Sequence, residues 1–268
     1  MTVPGTLFVR NLVNRRTLLF QMVRRDFEQR FVGSAVGWLW GLIHPVVLLV
    51  SWIFVFQVCL HTTLPPNEVT SNYSLFLFCG FLPWLLFQDT VTRSASSLLD
   101  NSNLITKTVF PAEIVPVSIF LSSLISHLLA LGLVIAVVGF YNGHFSLWLL
   151  SLPIYLLLIG FFSIGVGWFV ASLQVYLRDT AQVISVILTF WFWMTPIFID
   201  DQLYPKRFQF LLHANPLAFV VRAYRDRLLS YRIPDFSELL LVMAYAIGVF
   251  ILGGLFFRHL KRGFADVL

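Results

Sequence analysis

Charge is scarce in this sequence. Asp, Glu, Lys and Arg make up 12% of its 268 residues, about half the share found in soluble domains, and none occurs between Ile114 and Leu177. There are two cysteines, Cys59 and Cys79, both inside apolar runs. They read as small core residues and exclude a disulfide scaffold or a thiolate metal site. No Gly-rich stretch ends in Gly-Lys-Ser/Thr, so the chain has no phosphate-cradling loop of its own. Uphill movement of a solute would then draw on another chain or on an ion gradient. No Ser/His/Asp set and no metal-ligand spacing can be assembled, which leaves the catalytic and metal sites empty in this reading.

What the sequence has instead is apolar length. Hydrophobic residues are 58% of the chain, and the mean hydropathy is +0.84. These values exclude a soluble enzyme, a disordered chain and a coiled coil, and point to a polytopic membrane protein. A spanning helix needs roughly 20 apolar residues. Runs of that order fall at about 35–60, 73–97, 113–140, 146–176, 180–199 and 237–257. The third and fourth are parts of one uncharged stretch, broken only at Tyr141-Asn142-Gly143-His144. The uncharged run 208–221 is too short to cross and contains Pro216. It is expected to dip into the membrane as a re-entrant helix pair.

Residues 11–31 repeat Leu12, Leu19, Val23 and Phe27 at helical spacing, with Arg24, Arg25 and Glu28 on the other side. This pattern predicts an amphipathic helix lying in the interface within residues 1–33, rather than a signal peptide. The expected fold is therefore all-α: one interfacial helix, six spans and a re-entrant pair between spans 5 and 6.

Basic residues are dense before the first span (Arg10, Arg15, Arg16, Arg24, Arg25, Arg30), and recur at Arg93, Lys107, Arg178, Arg258, Lys261 and Arg262. The stretch 61–72 has none. Positive-inside reasoning puts both termini in the cytoplasm. Residues 201–236, whose charges nearly balance, fall outside. The net charge of +5 then belongs to membrane flanks and not to nucleic-acid binding.

Few acidic residues or histidines lie within the spans. Asp89 is four residues before Arg93, a spacing that pairs them on one helix face. His44 and His127 lack an obvious carboxylate partner and read as packing residues. Asn72-Tyr73-Ser74 matches a glycosylation sequon only by pattern. Aromatics are in excess: 28 Phe, 8 Trp and 8 Tyr. They fit lipid-facing bulk and an interfacial belt, or alternatively the lining of a conduit, because flat rings give contact area without a strong polar trap.

Several short patterns occur together in order. They are Arg25-Asp26-Phe27 with Arg30-Phe31, Ser34, Gly37-Trp38-Leu39-Trp40 and Pro45, and then Gly80-Phe81-Leu82-Pro83-Trp84. After them come Asn101-Ser102-Asn103-Leu104-Ile105, Lys107, Val109-Phe110-Pro111 and Glu113. Leu177-Arg178-Asp179-Thr180, Thr195-Pro196-Ile197, Asn215-Pro216-Leu217, Tyr224-Arg225-Asp226 and Arg262-Gly263-Phe264-Ala265-Asp266 close the series. The set resembles the ABC-2 type polysaccharide export permeases over nearly the whole chain.

That resemblance implies an ABC-2 transmembrane domain over 34–268 that works as a homodimer with two copies of a separate ABC ATPase. ATP and magnesium would sit on that partner, and no cofactor on this chain. The substrate would be a lipid-linked polysaccharide such as O-antigen, crossing the bacterial inner membrane. Capsular polysaccharide, teichoic acid and a small lipophilic compound are the alternative cargoes, and an intramembrane acyltransferase using His44 or His127 is the alternative class. Segment 100–111 is expected to couple to the ATPase through Asn101, Leu104, Ile105, Lys107, Val109 and Phe110. Trp38, Tyr73, Phe76, Trp84 and Trp193 are nominated for the conduit. The resemblance also implies short helices at a periplasmic gate, with Asn215, Pro216, Arg222 and Arg225 as gate residues.

Overall fold

A computed structural model describes residues 15–64, 70, 72–107, 110–142, 146–199, 201–230 and 235–268. Among these residues there is no strand. In chain order the helices are α1 (Arg16–Gln29), α2 (Trp40–Ile53), α3 (Tyr73–Asp100), α4 (Ser102–Lys107), α5 (Ile114–Asn142), α6 (Leu152–Tyr176), α7 (Thr180–Met194), α8 (Gln209–Ala214), α9 (Pro216–Leu229), α10 (Phe236–Leu260) and α11 (Phe264–Val267).

Five helical stretches are long and apolar enough to cross a membrane: Gly37–Cys59, Tyr73–Asp100, Ile114–Tyr141, Leu147–Tyr176 and Phe236–Gly263. They match five of the six expected spans. The run at 180–199 folds differently, because helix α7 is only 15 residues long. At 1.5 Å per residue it rises about 22 Å, short of the roughly 30 Å hydrocarbon layer. It stops at Met194 because Pro196 follows Thr195, and the residue before a proline is pushed out of the helical region. Thr195 is extended accordingly.

The centre of the bundle is α3, most of whose residues from Leu75 to Leu98 are buried. Helices α5, α6 and α9 pack around it. The most extensive pairing joins α6 to α10, where two glycines let the backbones meet. A Cβ on Gly165 would lie 2.6 Å from the Val249 carbonyl oxygen, and one on Gly253 would strike the Gly165 backbone. Small residues at a helix crossing are the usual route to tight association in lipid, where no water-driven term separates one apolar surface from another. By contrast, α2 carries a single buried residue, Leu49, and so lies against the bundle with most of its surface open.

Several local expectations are decided here. Helix α1 forms within the predicted amphipathic segment, and Leu12 and Val13 lie outside the described residues. Its face turned to the bundle buries Met22, while Phe20 is 69% exposed. Asn72 serves as the N-cap of α3, its side-chain oxygen accepting from the amides of Ser74 at 3.0 Å and Leu75 at 3.3 Å. Cys79 is buried as expected, but Cys59 is exposed, because it falls at the far end of the loosely packed first span.

The glycine crossing gives a direct test. Gly165→Leu is expected to cost about 1–3 kcal/mol through overpacking against backbone that cannot move aside, lowering the unfolding temperature of the detergent-solubilised protein. Gly248→Ala, also on α10, meets nothing within 4 Å and is expected to leave that temperature unchanged or slightly raised.

Candidate functional site

The bundle has a basal end, carrying α1, α4 and the C-terminal α11, and a distal end, carrying the outward end of α9. At the basal end four charges from two distant parts of the chain converge. Arg93 of α3 donates to Asp26 of α1 at 2.5 Å, and Arg30, just after α1, lies 3.2 Å from Asp89 and 3.6 Å from Asp26. Ser123 of α5 donates to Asp89 at 2.6 Å and accepts from Arg30 at 2.9 Å. The Asp89–Arg93 pair read from the sequence exists at 3.8 Å, but it is the longest contact of the set. Two carboxylates and two guanidiniums cancel, so the cluster can sit part-buried without a net charge in the bundle.

Beside this cluster lies the segment expected to meet an ATPase. Asn101 accepts from Arg25 of α1 at 2.5 Å and donates to the Ser97 carbonyl at 2.9 Å. Leu104 and Ile105 on the short helix α4 are half-buried, and Lys107 is exposed. Ile105 and Phe110 pack against the core, and Val109 lies outside the described residues. The C-terminal helix α11 rests on α4. The tail is anchored by Lys261, whose Nζ donates to Glu113 Oε2 at 2.5 Å, and by Tyr176, whose hydroxyl donates to the Leu260 carbonyl at 2.9 Å. Nothing local in the sequence shows that both terminal segments bracket α4.

The four nominated gate residues all lie on α9 or at its start, and they make separate sets of contacts. Asn215 begins α9 and accepts from the Leu217 amide at 3.1 Å. The same oxygen accepts from Trp191 Nε1 at 2.9 Å, and the side-chain amide donates to Thr195 Oγ1 at 3.0 Å. One asparagine thus caps α9 and ties it to the end of α7. Pro216 is buried at the first turn of α9, where its missing amide costs nothing. Arg225 is buried: its Nε donates to the Phe76 carbonyl at 3.2 Å, its Nη2 to the Ile197 carbonyl at 2.7 Å, and its guanidinium stands 3.4 Å from the Phe76 ring centre. Gly80 makes room for it, since a Cβ there would come 2.6 Å from Nη2. Arg222 bridges Asp201 at 2.6 Å and Glu238 at 3.4 Å. His127 is a packing histidine whose Nε2 lies 3.1 Å from the Tyr224 hydroxyl.

The five nominated aromatics separate into two groups. Tyr73, Phe76 and Trp84 are within 3% of full burial; the Tyr73 hydroxyl donates to the Phe198 carbonyl, and Trp84 packs on Phe87, Trp191 and Phe192. Trp38 and Trp193 are half-exposed, on α2's leading turn and on α7.

The family model for ABC-2 type transporters matches residues 17–229, from the first helix to the end of α9. The chain belongs to that family. As an ABC-2 protein with several apolar spanning helices it is a multi-pass membrane protein, and a transport subunit rather than a catalytic enzyme. It is similar to the O-antigen export system permease protein RfbA of Myxococcus xanthus, 29% identical over 264 residues, which cover 96% of this chain and 98% of the relative. The protein of the same name from Klebsiella pneumoniae is 27% identical over 256 residues, covering 94% and 95%. The polysialic acid transport protein KpsM of Escherichia coli is 26% identical over 80 residues, 30% of each chain.

The basal cluster of this ABC-2 chain can be tested by charge exchange. Asp26→Arg places three guanidiniums around Asp89 and is expected to cost roughly 2 kcal/mol, between the values for exposed and for fully buried pairs. Asp26→Arg combined with Arg93→Asp restores the balance and is expected to regain most of the lost thermal stability in detergent.

Proposed function

We propose that the chain is the membrane-embedded permease subunit of an ATP-driven exporter of a lipid-linked polysaccharide of the O-antigen kind. The observation that carries this reading is the alignment with O-antigen export permeases over 94–96% of the chain. The capsule reading has a weaker basis, a match over 30% of the chain. The absence of a Gly-Lys-Ser/Thr phosphate loop in the sequence supports an energy source on a partner, an ABC ATPase that carries ATP and magnesium. An acyltransferase using His127 is disfavoured by the geometry, because that imidazole is buried and engaged with Tyr224.

In the proposed assembly two copies of this chain pair in the bacterial inner membrane and each engages one ATPase. Helix α4 and its flanks face the cytoplasm, with Leu104 and Ile105 entering a groove on the ATPase and Lys107 at its rim. The sixth crossing is α7 completed by the non-helical residues 195–199. Helices α8 and α9 form a re-entrant pair: Pro216 packs beside Leu158 and Phe162 of α6, while Arg227 near the other end of α9 reaches Tyr155, nearer the start of α6. These contacts of α9 support a pair that enters and returns on one side. Trp38 and Trp193 keep aromatic area free for a sugar chain between the copies, and Tyr73 and Trp84 back Trp193 through Phe198 and Phe192.

A gene deletion is expected to remove the surface glycan while synthesis continues inside the cell. Leu104→Asp with Ile105→Asp should abolish ATPase association and export with the permease still in the membrane, and Trp193→Ala should slow export with association intact. Surface glycan at the parental level in the deletion strain would overturn the reading.

The topology has its own test. Leu203, 57% exposed in the distal segment, is expected to react as Leu203→Cys with an impermeant thiol reagent from the periplasmic side. Labelling from the cytoplasmic side alone would remove the six-crossing arrangement.

A further inference from the structure

A cavity of about 510 Å³ lies between α2 and the bundle, within the size range of small-molecule sites. Along α3 it runs from Arg93 to Phe81, twelve residues or about 18 Å. Its two ends differ in chemistry. The deep part is apolar and aromatic, bordered by Leu48, Trp52, Phe81, Leu82, Leu85 and Phe192. The basal part is polar, with Asp89 and Arg93 beside Gln88, Thr92, Ser123 and Ser126. Trp40 and His44, both exposed, border the same space. The side chain of Asp89 is 41% exposed, although it lies well inside a spanning helix.

Three features restrict the occupant. The apolar part points toward the membrane interior and the polar part toward the basal interface, which is the orientation of an amphiphile in the adjacent leaflet. The polar part is formally neutral, because Asp26 and Asp89 balance Arg30 and Arg93; a phosphate would find its two guanidiniums already matched. What remains on offer is a mixture of donors and acceptors with an aromatic face nearby, which suits hydroxyl groups on a ring.

We propose that this groove binds a glycolipid of the basal leaflet, with its hydroxylated head against Asp89, Thr92 and Ser126 and its single apolar chain along Trp52, Phe81 and Leu85. The assignment rests on the polysaccharide-export reading, and it names where within one copy of the chain the lipid-attached end of the cargo is held. Asp89 acts as a binding residue here, its carboxylate accepting from sugar hydroxyls while Ser123 and Arg30 keep it oriented.

The test uses the whole transporter in cells. Trp40 is replaced by the photoreactive aromatic p-benzoylphenylalanine, and a second strain carries it at Phe140, which is 95% exposed and outside the groove. After irradiation the permease is purified and its adducts are identified by glycan blotting and mass spectrometry, in cells making the polysaccharide and in cells blocked in its synthesis. A glycan-bearing lipid adduct at position 40 that requires synthesis and is absent at position 140 is the expected result. Thr92→Val, which keeps the shape and removes one hydroxyl, is expected to lower that adduct about fivefold. Ala130→Phe, which fills the space, should lower it further.

Phospholipid adducts alone at position 40, equal glycan labelling at both positions, or labelling indifferent to both substitutions would each overturn the groove assignment. Failure of the underlying function is seen separately, as unchanged surface glycan when the gene is deleted. A strain that loses its surface glycan on deletion but gives no glycolipid adduct at position 40 keeps the export function and discards the groove.

Discussion

Asp26 of α1 bonded to Arg93 of α3 joins a surface helix to the most buried helix of the bundle, and much of the basal architecture depends on that bond. A charge carried into a low-dielectric interior is tolerable only when matched. Arg93 is largely buried within a spanning helix and Asp89 is part-exposed beside it, and α1 brings its own opposite pair, Asp26 and Arg30, to them. Docking α1 in this register sets Arg25 beside Asn101. That in turn fixes the start of α4, the segment through which an ATPase would push. The electrostatic requirement and the proposed mechanical contact therefore share one helix.

The same constraint operates at the distal end with different partners. Arg225 is held by two backbone carbonyls and an aromatic face. The Ile197 carbonyl is free because it lies in the non-helical stretch after α7, whereas the Phe76 carbonyl lies within α3 and accepts through its second lone pair. Ending α7 at Met194 thus supplies one acceptor, the Ile197 carbonyl, that a longer helix would have consumed internally. The short helix and the buried arginine are consequences of each other, and Asn215 locks the arrangement by bonding to both α7 and α9.

Between the two ends the loosely packed α2 leaves the groove open beside Asp89. The balanced charges that dock α1 also make the polar end neutral, so a single cluster serves as structural clasp and as recognition surface. A cargo carrying hydroxyls on an apolar anchor suits that dual character, and it is the kind of molecule the proposed export function requires.

Much of the architecture was legible in the residues. The uncharged stretch 114–177, with its break at Tyr141-Asn142, fixed two spans because apolar length is a local property and the bilayer sets its scale. The amphipathic spacing of Leu19, Val23 and Phe27 located α1, and Asn215-Pro216 marked a helix start by known capping preferences. Partnership was not legible. Asp89 pairs most simply with Arg93 one turn away, and only the folded chain brings Asp26, Arg30 and Ser123 to the same point. Trp84 and Trp193 are the same residue type in similar apolar surroundings, yet one is buried in the bundle and the other half-exposed. Periodicity can divide a helix into faces only when some faces are polar, and in a uniformly apolar span every direction reads alike. The sequence by itself determined five segments long and apolar enough to cross a membrane; which side of each segment meets a neighbour was decided by tertiary packing, because charge matching and glycine contacts act between residues far apart in the chain.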